Sequence, residues 1–226
     1  MGGDAASSFA AGGMAWPIGA RVPVERLNPD ERRRRLILEA SRLFGRRGYD
    51  GTSLDDVAQA DGIRKQTLLY HFPNKDSLFN ACIDELAARL AATLRHGLEQ
   101  PAMGWERVES VIRSIFRLAE EWPEFPLLAR EATRHSPQVV ERIATQLEPL
   151  RKRAILFLAR EMRAERFRSQ DPGLLLFTLY GAIVSSLTEA GVLRVVTGED
   201  SSSSALRQRE EELIEFVKRA LVPENG

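Results

Sequence analysis

Apolar residues recur at helical spacing along most of this chain, and no stretch alternates apolar and polar positions as a half-buried strand would. Asn28 reads as a helix N-cap, Pro29 as the first helical position and Glu31 as the acid that completes a capping box. Leu36, Ile37, Ala40, Leu43 and Phe44 follow on one face, Arg46 and Arg47 suit the last turn, and Gly48 closes the helix. Thr52 or Ser53 can cap a second helix with Asp55 and Asp56 at its positive end and Leu54 and Val57 on its apolar face. Ala58, Gly62 and Leu68 then sit at the spacing of two short helices crossing through a tight turn. Ala58 is small at the crossing, Gly62 can take positive φ, and Leu68 anchors the second helix. Pro73 ends that helix. Asn74 caps a long one from Lys75 to about His96, with Leu78, Phe79, Cys82, Leu86 and Leu90 along one side.

The remainder reads as helices separated by Pro and Gly: 105–121, 127–135, 137 to about 168 with a kink expected at Pro149, 172–197, a loop and cap at 201–204, and 205–221. The fold class is therefore all-α. An N-terminal three-helix unit containing a helix-turn-helix is joined to a C-terminal helical bundle.

A helix-turn-helix places its second helix in the DNA major groove. Here that helix follows Arg64, which can reach a base or a phosphate. Lys65 and Gln66 open it, where side chains point into the groove. Lysine donates to guanine, and glutamine pairs bidentately with adenine. Composition adds little to this by itself, because 32 basic residues balance 32 acidic ones. The distribution says more: between Asp30 and Arg47, Arg32–Arg35, Arg42, Arg46 and Arg47 stand against Asp30, Glu31 and Glu39. The run Arg32–Arg35 is either a solvated face or a source of attraction for the DNA backbone.

Residues 30–80 resemble the DNA-binding domain of the TetR family of bacterial transcriptional regulators. The resemblance rests on Leu38 and Ala40, Leu43–Phe44, Gly48–Tyr49, Thr52–Ser53, Asp56–Ala58, Gly62–Ile63, Thr67–Leu68, His71–Phe72 and Asn74–Phe79. The sequence departs from the family pattern at Arg64, where a capping Ser or Thr is usual, at Gln66, where a small residue or Pro is usual, and at Leu69, where an aromatic is usual. All three departures fall on the DNA-facing surface. The resemblance implies that Thr67, Tyr70 and His71 face the DNA backbone, that Lys75 meets a phosphate, and that Thr52 or Ser53 does so from the second helix. Tyr70 and His71 keep a packing role as the alternative.

The resemblance also implies a homodimer on a partly palindromic double-stranded operator, released by a small-molecule effector held inside the C-terminal helices. Phe116, Trp122, Phe125, Phe157, Phe177 and Tyr180 either line that pocket or are plain core. The apolar helix at 172–197 carries apolar and small residues on more than one side. It needs a partner as well as its own bundle, and shares the dimer interface with 205–221. The expected division is a tail at 1–27, a DNA-binding domain at 28–96 with its helix-turn-helix at about 54–73, and an effector and dimerisation domain at 97–222.

Other classes find little support. There is no GxSxG, no phosphate-cradling loop, and no His, Asp or Glu cluster at metal spacing, so neither an enzyme nor a cofactor is expected. The single cysteine, Cys82, excludes an internal disulfide and reads as a small core residue. Residues 1–27 are rich in Gly, Ala and Ser and read as a disordered tail without a secretory pattern, in which Arg21 and Arg26 could touch DNA. The apolar stretch 174–196 contains Glu189 and Arg194 and suits a buried helix better than a membrane span. A cytoplasmic location is expected.

Overall fold

The computed structural model describes residues 28–99, 103–198 and 203–224. The expected tail at 1–27, with Arg21 and Arg26, lies outside them. The described residues form ten helices and no strand: α1 (Pro29–Arg47), α2 (Leu54–Asp61), α3 (Lys65–His71), α4 (Lys75–Glu99), α5 (Gly104–Glu121), α6 (Phe125–His135), α7 (Pro137–Arg163), α8 (Pro172–Thr188), α9 (Ala190–Thr197) and α10 (Ser203–Leu221).

Local chemistry accounts for the ends. Asn28 accepts the Glu31 N–H while Glu31 accepts the Asn28 N–H, a reciprocal cap at the start of α1. Ser53, not Thr52, caps α2: its hydroxyl accepts the Asp56 N–H, and Asp56 reaches back to the Ser53 backbone. Gly62 closes α2 in the left-handed region at φ 71°. Asn74 accepts the Ser77 N–H at 2.8 Å and starts α4. Pro149 is carried within α7, which runs through it.

Two expectations are corrected. The helix expected over 172–197 is broken at Glu189, whose backbone leaves the helix at ψ 45°. Its carboxylate pairs with Arg130 of α6 at 3.1 Å. The helix expected to reach about 168 ends at Arg163, because Glu165 turns to φ 57° and Glu161 gathers Arg160 and Arg166 around itself.

Two apolar cores result. The first joins α1–α4 through Leu36, Phe44, Leu68, Phe72, Phe79 and Leu86, and continues without a gap into Trp122, Phe125 and Leu128. The second gathers Ile112, Phe116, Leu158, Ile183, Ile214 and Leu221 from α5, α7, α8 and α10. The boundary expected at 96–97 falls inside α4, so one continuous helix belongs to both halves.

The N-terminal unit is fixed to the rest along α6. Gly45 of α1 lies so close that a Cβ there would stand 3.2 Å from the Glu124 carbonyl oxygen and 3.3 Å from the Leu128 nitrogen. Arg46 bonds to Glu124 at 2.9 Å, and the Tyr49 N–H donates to Glu131 at 2.6 Å. Farther along α4, Asp84 holds Arg142 of α7 by two bonds of 2.6 Å.

Candidate DNA interface and ligand cavity

α3 is seven residues long, too short to persist alone in water. Leu68, fully buried, and the following Phe72 pin it to the core, and this fixes which side faces outward. Arg64, Lys65 and Gln66 are exposed at its start, and Tyr70 is 83% exposed near its end. Thr67, Leu69 and His71 are half-buried at the flanks. Arg64 makes no side-chain cap bond, so the departure from a capping Ser or Thr leaves α3 without a side-chain cap. The exposure of Tyr70 sets aside its packing alternative.

Both lysines on this surface have protein partners. Lys65 Nζ pairs with Asp55 of α2 at 2.7 Å, and Lys75 Nζ lies 4.0 Å from the ring centroid of Tyr49. Both pairs are solvent-accessible, and an exposed pair of this kind contributes only about 0–1 kcal/mol, so either lysine can exchange it for a phosphate or a base edge. In the arginine run the guanidinium of Arg33 lies 5.0 Å above the Phe72 ring, and Arg35 pairs with the buried Asp61 at 2.5 Å. These two arginines support the fold; the run is not simply a solvated face.

His71 sits beside this run. Burial, followed by the charges of Arg32 and Arg33, holds its imidazole below the ordinary range and favours the neutral form. Thr52 is placed differently from expectation. It is 1% exposed, and its hydroxyl donates to the Gly48 carbonyl at 2.9 Å. The outward position of the pair belongs to Ser53.

Tyr49, given no role in the sequence reading beyond its part in the family pattern, is central to the joint behind α3. It stacks on Phe44, meets Phe79 edge-on, and lies 4.1 Å from His135 of α6. Its hydroxyl bonds to Asp76. Burial and that carboxylate push the phenol up to about 12. Its position directly after the helix-closing Gly48 was the available signal. Cys82 is buried and its thiol donates to the Ile37 carbonyl at 3.5 Å; burial pushes the thiol up to about 12.

A cavity of about 470 Å³ lies among α4, α5, α6, α7 and α8. Of the expected lining residues, Phe125, Phe157 and Tyr180 do line it. Phe116 and Trp122 are instead 1% and 6% exposed in the cores beside it, with Arg89 lying over the Trp122 ring. Phe177 faces away from the bundle at 71% exposure. Aromatic type alone could not separate these places. The wall is mostly aliphatic: Leu90, Leu94 and Leu98 from the end of α4, Ile112 from α5, Leu147 and Leu158 from α7. The four-residue spacing of the α4 leucines was the signal for that side.

Among the described residues no group of His, Cys, Asp and Glu forms a metal site, and no helix is long and apolar enough to cross a membrane.

The fold is that of a helix-turn-helix carried on a helical bundle, and known proteins share it. Residues 36–82 match the sequence profile described as bacterial regulatory proteins, tetR family. Residues 36–82 carry a DNA-binding domain of the TetR type. The chain is 25% identical over 168 residues, 74% of its length and 77% of its relative, to the HTH-type transcriptional activator FasR of Mycolicibacterium smegmatis. Solved structures of similar fold include the ketosteroid transcriptional regulator KstR2 of Mycobacterium tuberculosis, at TM-score 0.67 and 21% identity over 87% of this chain and 98% of that one. Another is AibR in complex with isovaleryl coenzyme A and operator DNA, at TM-score 0.68 and 19% identity over 82% of this chain and 97% of that one. With that domain the chain is a DNA-binding regulator of transcription.

Proposed function

We propose that this protein is a homodimeric repressor that leaves a partly palindromic operator when a small apolar effector fills the cavity. The observation that carries the reading is the double attachment of two helices. The last turns of α4 supply Leu90, Leu94 and Leu98 to the cavity while its first turn carries Lys75 next to α3. α6 supplies Phe125, Pro126 and Ala129 to the cavity, while Leu128, Glu131 and His135 of the same helix touch α1, Tyr49 and Phe79. A ligand that changes the packing of α4 and α6 changes the tilt of the reading unit. Residues 28–96 then act as the reading unit, and 97–222 as the effector and dimerisation unit.

The dimer reading is supported by α8 and α10. Leu174 and Phe177 on α8 and Phe216 on α10 are each about two-thirds or more exposed. An exposed apolar surface of this kind suits a second copy of the chain. Two reading helices then enter successive major grooves of one operator.

On the DNA side, Arg64, Lys65 and Gln66 read base edges, with Leu69 against the groove. Ser53, Thr67, Tyr70, His71 and Lys75 meet the backbone. The test is an anisotropy titration of the full chain with DNA from upstream of its own gene and with random DNA. Preference for the former, lost on Gln66→Ala, supports the reading; equal affinity for both overturns it. The activator named among the relatives keeps the opposite sign open. In vitro transcription from the same DNA decides between them by rising or falling with added protein.

A further inference from the structure

The cavity is open on one side. Among its described wall residues most are buried or half-buried, and the exposed ones are Ala144 and Arg151 on α7 and Tyr180 on α8. The opening therefore lies between α7 and α8. On its α7 edge Arg151 holds both carboxylate oxygens of Glu148, at 2.6 and 2.8 Å, so that edge is polar. The α8 edge is apolar. At helical spacing, Tyr180 and Val184 occupy the flank of α8 between Ile183 and Leu187, which line the cavity, and Phe177, which points outward. Leu174 and Gly181 continue that outward face, and a Cβ at Gly181 would meet nothing within 4 Å. α10 runs antiparallel beside α8. Arg209 donates to the Ser186 carbonyl at 2.7 Å, and the Leu221 carbonyl accepts from the Arg168 N–H just before α8. This pairing brings Phe216 about level with Phe177. The exposed surface of both helices is thus one apolar patch, and it runs up to the edge of the opening.

We infer that a second copy of the chain, seated on this patch, closes the opening, so that each ligand site is complete only in the dimer. This rests on the dimer and effector readings above and joins them. A ligand in the open cavity keeps one side in water and loses that share of its burial; the partner's surface beside Tyr180 removes the water. The ligand then binds the dimer more tightly than the monomer, and by reciprocity it strengthens the dimer. The released regulator is accordingly a ligand-filled dimer with its reading helices displaced, not a pair of separated monomers.

The experiment combines sedimentation with fluorescence titration of the full-length protein, using N-phenylnaphthalen-1-amine, an uncharged apolar fluorophore. The wild-type dimer is expected to bind it at least about tenfold tighter than the monomeric Phe216→Glu protein, although Phe216 does not line the cavity. Two sites that each favour the dimer about tenfold lower the dimer dissociation constant about 100-fold at saturation. Ala154→Trp, which fills the cavity, should abolish both effects. Equal affinity for the wild-type dimer and the Phe216→Glu monomer overturns the closure and leaves the dimer and cavity readings standing. A dimer constant that the fluorophore leaves unchanged or raises does the same. Binding that survives Ala154→Trp puts the fluorophore outside the cavity and also overturns the closure. A wild type that sediments as a monomer removes the dimer reading, a dimer that does not bind the fluorophore removes the cavity reading, and the proposal falls with either. If Phe216→Glu does not fold or stays dimeric, the wild-type dimer constant with and without fluorophore still decides.

Discussion

Glu131 of α6 accepts the backbone N–H of Tyr49 at 2.6 Å, and this bond ties the turn after α1 to a helix that also walls the cavity. A charged acceptor on a half-buried amide is worth about 1.5–3 kcal/mol. Glu131→Ala is expected to destabilise the chain by about 1–2 kcal/mol once solvent access is allowed for. Urea denaturation should show a lower midpoint at unchanged slope. An unchanged midpoint would mean that the joint is held by ring packing around Tyr49 alone.

Base reading and backbone contact should separate by mutation. Gln66→Ala and Lys65→Ala are each expected to cost about 1–3 kcal/mol on the operator and to relax one base position. Lys75→Ala should weaken all sequences alike and lower the salt slope by about one. Equal losses on operator and random DNA for Gln66→Ala would place that side chain outside the groove.

The Lys65–Asp55 pair makes a prediction of the opposite sign. Asp55→Asn removes a negative charge next to the reading helix and frees Lys65 from its partner. DNA affinity should rise by about two- to fivefold at low salt, and the gain should fade as salt is added. A loss of affinity would show that Asp55 orients Lys65 for the groove.

His71 sets a pH dependence. In the free protein, burial and Arg32 and Arg33 hold its imidazole below the ordinary value, so it is neutral near pH 7. A phosphate beside it favours the charged form and raises its pKa on binding. Between the free and bound values, complex formation takes up a proton, and affinity climbs as pH falls through that window. The gain is up to about tenfold for each unit of upward shift. His71→Gln should flatten the profile below neutral pH. A profile that stays steep in the variant would assign the proton elsewhere.

Phe177 and Phe216 place the dimer test on the surface, away from the core. Phe177→Glu and Phe216→Glu should each shift the protein from dimer to monomer in sedimentation at micromolar concentration, with helix content retained. Operator affinity should fall by at least about 100-fold, since one half-site is lost. A wild-type monomer at the same concentration would remove the dimer.

Most of the N-terminal unit was legible because its signals are local. The reciprocal cap at Asn28 and Glu31, the left-handed turn at Gly62 and the anchor at Leu68 each depend on residues a few positions away. The cavity was less legible, because a bundle gives Phe116, Phe157 and Phe177 the same pattern of neighbours in sequence. Burial in the core, in the cavity wall or on the outer face is decided by which helix lies opposite. The break at Glu189 depends on Arg130, which lies far away in the chain. The choice of Ser53 over Thr52 as cap depends on where the Gly48 carbonyl lies.

The absence of a side chain at Gly45 lets the backbones of α1 and α6 touch. The angle of the reading unit is therefore set by contact between main chains, which cannot re-pack by changing rotamer. A methyl group at this position would be a permanent wedge: a Gly45→Ala protein would hold α1 away from α6 by a few tenths of an ångström with nothing bound. On the proposed mechanism, such a change would do by heredity what an effector would do by occupancy, giving a regulator fixed in its released state.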